Sequence, residues 1–220
     1  MIEATMPRQH VGAFTRQNPF PPELIAKAEA ELDMFASLLE KEGVKVYRPV
    51  KNIDWQVREG YTGAMPRDGL MSVGSTLIEA CFAWPSRSCE IEVAFSTILE
   101  QLALDPDVNI VRRPKNSFAN TLLDNVESSC KNGNSNQNGR QWVINNSRPA
   151  FDAADFMRFG KTIIGQYSHV TNQDGVDYVR ENLPKGYKIE MLDVTDECAM
   201  HIDATILPLR HGLLVYNPYK

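Results

Sequence analysis

Three stretches of this chain share one layout. PRDGLMSVGSTLIEA, AADFMRFGKTIIGQY and HIDATILPLRHGLLVYN each run through an aspartate, an apolar strand, a glycine turn and a second apolar strand. The aspartates are Asp68, Asp155 and Asp203. Repetition of this kind constrains the fold strongly, because a lone hairpin cannot bury its apolar face and must pack on its neighbours. If the units are arranged around an axis, equivalent strand ends converge and the three acids surround one pocket. Aspartate is also an ordinary turn former, and at this point that alternative stands beside the first.

The first two hairpins are each followed by a helix and a further strand. SRSCEIEVAFSTILEQL reads as a helix and VNIVRRP as a strand; GVDYVRENLP and YKIEMLDV repeat the order. The expectation is two ββαβ units, with a third begun by DATILPL and HGLLVYN. Upstream, Pro21 and Pro22 open a helical pattern carried by Ile25, Ala28, Leu32, Phe35, Leu38 and Leu39, with Gly43 as its stop. VKVYRP then reads as a short strand. Residues 131–140, which contain KNGNSNQNG, read as a low-complexity mobile loop. The whole chain, 1–220, is expected to be a single α/β domain.

Composition excludes several roles. A net charge of −5 and a pI of about 5.4 argue against a nucleic-acid partner. No stretch is long and apolar enough to span a membrane. MIEATMPRQH lacks the apolar core of a secretory signal, and Cys81, Cys89, Cys130 and Cys198 show no disulfide-framework spacing. A reducing compartment is expected: the cytoplasm, or the mitochondrion if a presequence preceded Met1.

The chemistry centres on two short motifs, FDAADF and MHID. His201 and Asp203 alternate with Ile202 as on a strand, which would put both side chains on one face. A carboxylate beside a histidine fixes its tautomer and raises its basicity, the usual setting for acid–base work. Asp152 and Asp155 add two more acids. Several carboxylates in one pocket need a cation, and a guanidinium suits because carboxylates accept its planar fork in pairs. A metal is the lesser reading, since no second histidine stands at ligand spacing from His201. No cofactor is expected. Cys198 makes a C-x-x-H with His201, and a plain thiol is its expected role. Trp55, Trp84 and Trp142 read as core, and Arg67 as a surface partner of Asp68.

Beyond these residues, MPRDGLMSVGSTLIEACFAWPSR, RPAFDAADFMRFGKTIIGQYSHVTN and MHIDATILPL together resemble the arginine:glycine amidinotransferase family, which includes the creatine-pathway enzyme and relatives in toxin and antibiotic synthesis. EGVKVYRPVKNIDW resembles the segment that precedes the first motif. The resemblance runs from about Glu23 to Pro218 and is weakest between Lys115 and Ser147.

The resemblance implies part of a five-bladed, pseudosymmetric α/β propeller of ββαβ units (pentein-like), with about two complete units and partial ones here. It implies a ping-pong transfer of the amidino group of arginine through a cysteine to an amine acceptor, glycine by default. By this resemblance Asp152 and His201 are catalytic, and Asp68, Asp203 and Asp155 bind substrate. None of the four cysteines falls in a motif like that of the family's nucleophile, so the chain as written is expected to be an incomplete propeller, inactive alone. A non-catalytic remnant, or one half of a split enzyme, is the alternative. NPYK stands where family members carry NPDR, so Lys220 takes the place near the substrate carboxylate, with a charge but no bidentate fork. A homodimer is carried as the expected assembly.

Overall fold

The computed structural model describes residues 21–49, 65–84, 87, 90–114, 142–193 and 200–218. Helix α1 (Pro22–Lys41) starts on its paired prolines. Its apolar stripe faces outward: Leu32, Phe35 and Leu38 are all exposed. VKVYRP is not a strand. Residues 44–49 have no regular structure, and Val44 and Tyr47 are exposed, with no neighbouring strand to pair with among the described residues.

The first repeat begins with a single-turn helix α2 (Pro66–Gly69). Strands β1 (Leu70–Val73) and β2 (Thr76–Glu79) pair antiparallel. The predicted helix over SRSCEIEVAFSTILEQL is broken in two, α3 (Glu90–Ala94) and α4 (Ser96–Leu102), because Phe95 leaves helical geometry. Strand β3 (Asn109–Val111) then pairs parallel to β2.

The second repeat follows the same plan. A 3-10 turn (Ala153–Asp155) leads into β4 (Phe156–Phe159) and β5 (Thr162–Gln166), paired antiparallel. Helix α5 (Gln173–Glu181) is capped by Asn172, whose side chain accepts from the Gly175 N–H at 2.8 Å. Strand β6 (Lys188–Leu192) returns parallel to β5. The third repeat has its own 3-10 turn (Ile202–Ala204) and the antiparallel hairpin β7 (Ile206–Arg210) and β8 (Leu213–Tyr216).

The repeat is therefore structural. Each hairpin turns at a glycine with positive φ: Gly74 at 58°, Gly160 at 61° and Gly212 at 75°. Each is preceded by a short helical turn that carries one of the repeat aspartates. One core joins the first two units: Ile78, Ile91 and Leu99 pack with Phe151, Ile163 and Val176. Phe151 bridges to Cys81 through a hydrogen bond of 2.9 Å, which lays the start of the second unit against the end of β2. Trp142 is core, as expected, while Trp84 is half-buried. The expected mobile loop at 131–140, together with Trp55, Cys89, Cys130, Cys198 and Lys220, lies outside the described residues.

Candidate active site

The three helical turns meet. The Ala153–Asp155 turn packs against α2 on one side and against the Ile202–Ala204 turn on the other. Asp68, Asp152 and His201 are brought together there. The imidazole Nε2 of His201 lies 3.1 Å from Oδ2 of Asp152, and its Nδ1 lies 3.8 Å from Oδ1 of Asp68. Both carboxylates are buried and the histidine nearly so. The expected strand geometry of HID is not found. His201 is extended, but Ile202–Ala204 is a 3-10 turn, so His201 and Asp203 take different partners. Ile202 is the buried member, and it seats this turn in the protein.

A cation is present that the sequence reading did not find. Arg87 Nη1 donates to Oδ2 of Asp68 and to Oδ2 of Asp152, each at 3.1 Å. Its Nε and Nη2 donate to the two oxygens of Glu90 at 3.0 and 3.1 Å, a bidentate fork. The guanidinium carbon sits 4.2 Å from the centroid of the Phe82 ring. The signal was available in SRSCE. Arginine and glutamate three residues apart at a helix start are natural partners, and three converging acids demand a counter-charge.

Arg67 is not a surface partner of Asp68. Its Nη1 and Nη2 donate to the carbonyls of Ala153 and Phe156 at 2.7 and 2.6 Å, and its Nε faces Asp203 at 3.8 Å. It ties the three repeats together at the rim of the site.

Asp155 is fully buried. Oδ1 accepts from Gln166 at 2.9 Å, and Oδ2 accepts from the hydroxyls of Ser168, at 2.5 Å, and Thr171. Thr171 Oγ1 also accepts the backbone N–H of Asp152. The Asp155 network thus supports Asp152.

The electrostatics follow from burial and pairing. Burial pulls the imidazole of His201 down, but the Asp152 hydrogen bond and the charges of Asp152, Asp155 and Asp68 outweigh it and lift it to about 9. The ring is therefore protonated at neutral pH. Burial raises Asp152, against the lowering effects of His201 and Arg87. Burial likewise raises Asp155 to about 7. Asp203 is raised by its partial burial, with Arg67 opposing. Asp152 Oδ1 is buried and has no hydrogen-bond partner among the described residues. Cys81 is buried in the core, which pushes its thiol up to about 12 and makes it unreactive.

One oxygen or nitrogen each from Asp68, Asp152 and His201 lie within 4.8 Å of one another, a spacing that could hold a metal. Arg87 Nη1 is already bonded to two of those residues. No described helix is long and apolar enough to cross a membrane.

No protein-family model matches the chain. Curated relatives do. L-arginine:L-lysine amidinotransferase of Pseudomonas savastanoi pv. phaseolicola is 38% identical over 100% of this chain and 61% of its own length. The mitochondrial glycine amidinotransferase of Xenopus tropicalis is 35% identical over 90% of this chain and 49% of its own length. Among solved structures, an amidinotransferase of the saxitoxin biosynthetic pathway from Microseira wollei superposes with a TM-score of 0.73 at 33% identity, over 91% of this chain and 58% of that one. The chain thus spans about half to three-fifths of the length of the relatives it matches. Among the described residues the repeats are ββαβ units of the pentein-like propeller, two of them complete and a third represented by its hairpin. Sequence and fold agree with those of amidinotransferases along nearly the whole chain.

Proposed function

We propose that these residues serve the transfer of an amidino group from arginine to an amine. The observation that carries this reading is Oδ1 of Asp152, which has no hydrogen-bond partner among the described residues and lies buried beside the His201 imidazole and a second carboxylate. Leaving such an oxygen unpaired costs about 1–3 kcal/mol, and a ligand rich in N–H groups removes that cost. A guanidinium is such a ligand, held rigidly and charge-compensated before a nucleophile adds to it.

In this reaction a cysteine thiolate attacks the guanidinium carbon of arginine. The bond from that carbon to the ornithine nitrogen breaks, and His201, already an imidazolium, gives that nitrogen its proton. The acceptor amine then attacks the amidino-cysteine and returns a proton to His201 as the thiolate leaves. Asp152 orients and charges the imidazole. Asp68 and Asp203 hold substrate, and the charge of Lys220 complements its carboxylate. Asp155, with both oxygens engaged within the protein, acts by fixing the backbone of Asp152. The thiolate is none of this sequence's four cysteines; Cys81 is excluded by its burial. Glycine is the default acceptor, and lysine joins it on the name of the relative matched over the whole chain.

The test is ornithine release by the protein purified from the cells that make it, with arginine and either glycine or lysine supplied. Release that depends on the amine is expected, and no release with either amine overturns the reading. Binding of arginine without any release favours the alternative, a remnant or split subunit that keeps the carboxylates for binding. In the active protein, His201→Ala and Asp152→Asn are each expected to lower transfer by about 10²–10⁴-fold. Cys198→Ala is expected to have little effect.

A further inference from the structure

The converging acids raise the question of what balances them before substrate arrives. Asp68, Asp152 and Glu90 are all buried around one position, and that position holds the Arg87 guanidinium. Its side chain is only 10% exposed. Glu90 and the Phe82 ring fix the guanidinium in place and in plane, and Nη1 reaches both aspartates at once. A lysine has charge but no fork with which to hold Glu90 and both aspartates together.

We infer that Arg87 is a positioning residue: it ties one oxygen each of Asp68 and Asp152 to a shared nitrogen and fills the place that a divalent cation would otherwise take. This rests on the reading of Asp68 and Asp152 as carboxylates that serve an incoming guanidinium. With Oδ2 of each held by Arg87, Asp68 keeps Oδ1 toward His201, and Asp152 keeps Oδ1 without a partner among the described residues. The pair is thereby aimed before substrate binds, and no reorganisation is needed when it does. The same contact keeps the site closed to metals. Without Arg87, two carboxylates and an imidazole with donor atoms within 4.8 Å of one another form an oxygen-rich cation site.

Mn²⁺ tests this without calling on the thiols, because it prefers oxygen ligands. The loss of the free-ion electron paramagnetic resonance signal is titrated with the full 220-residue chain. Arg87→Gln is expected to bind Mn²⁺ at least about tenfold more tightly than the unsubstituted chain, a difference of about 1.4 kcal/mol. The gain is expected to vanish in the Arg87→Gln, Asp152→Asn double variant, and Arg87→Lys is expected to exclude the ion as the unsubstituted chain does. Equal Mn²⁺ affinity in the unsubstituted chain and a folded Arg87→Gln overturns the inference.

If circular dichroism shows that Arg87→Gln does not fold, Arg87→Lys carries the test. It is expected to keep Mn²⁺ out yet weaken arginine binding at least about tenfold, because the charge stays and the fork is lost. Unchanged arginine affinity in Arg87→Lys overturns the positioning role. Failure of the unsubstituted chain to bind arginine at all would instead count against the amidino-transfer reading, while the Mn²⁺ comparison would still decide what Arg87 does.

Discussion

The second unit and the third hairpin begin alike and end differently. Both start with an aspartate on a 3-10 turn, and both fold a short hairpin around a glycine with positive φ. In the second unit, β5 lies between β4 and β6, and its Ile163 is fully buried in the core that Val176 of α5 shares. In the third, Leu207, Leu209, Leu213, Leu214, Val215 and Tyr216 are all exposed, and β8 has no strand on its outer side among the described residues. Local sequence sets the hairpin, while neighbours set its burial. The site straddles this difference. Asp152 comes from the packed side, and His201 from the turn that leads into the exposed hairpin. Ile202 is buried, and around it the attachment is polar: His201 to Asp152, and Arg67 to two carbonyls and Asp203.

The largest effect is expected in the packed unit. Ile163→Ala leaves a cavity at the centre of the shared core and is expected to cost about 2–5 kcal/mol, read as a lower urea midpoint. A cost under about 1 kcal/mol would show that the packed unit is no better held than the hairpin.

Titration separates the two regions by pH. The His201 imidazole rises from its ordinary 6.5 to about 9 because Asp152 and its neighbours outweigh burial. The folded chain holds that proton more tightly than the unfolded one. The resulting stability is fully present below 6.5 and is lost as pH rises through about 9. Asp155 has the opposite charge but the same direction. Burial raises it from 3.8 to about 7, so its ionisation is harder in the folded chain, and stability falls as pH rises across that window. Urea midpoints are expected to decline in two steps. Asp155→Asn is expected to remove the lower step, and His201→Gln the upper. Steps that ignore these variants would detach the titrations from the two regions.

Arg67→Ala cuts the polar attachment of the hairpin. The carbonyls of Ala153 and Phe156 lose charged donors, an expected cost of about 2 kcal/mol. Coupling with Asp203→Asn is expected to stay below about 1 kcal/mol, because that pair is long and partly exposed. Hydrogen exchange is expected to quicken in β7 and β8 more than in β4–β6. Uniform quickening would mean that Arg67 supports the whole core instead.

The sequence showed the hairpins because glycine and alternation act over a few residues. The helices after each hairpin were legible too, but the break at Phe95 was not, since nothing local in AFST announces it. VKVYRP has strand residues and no strand, because a strand is made by its neighbour. At the site, convergence of Asp68 and Asp152 on His201 could be expected from the repeat together with the family resemblance. The need for a cation was also legible, but the pattern of acids points to a ligand as its source and not to Arg87. Which residue fills a buried position depends on the chain path across the 65-position separation of Arg87 and Asp152, and spacing alone does not carry that.

The finest test lies on the hairpin surface. Leu214→Ala removes an exposed side chain that lies 44% open, and a change within about 0.5 kcal/mol is expected. The substitution also keeps the β7–β8 ladder, because only a side chain is lost and the Pro208–Leu214 pairing is a backbone matter. A cost of about 2 kcal/mol would be the cost of emptying a buried site. It would mean that this face is covered in solution, and sedimentation of the same sample would then show whether a second copy covers it. The contrast between a hairpin held by packing and one held by charges would have to be withdrawn, and His201 would have to be counted among the firmly packed residues rather than those seated by ion pairs.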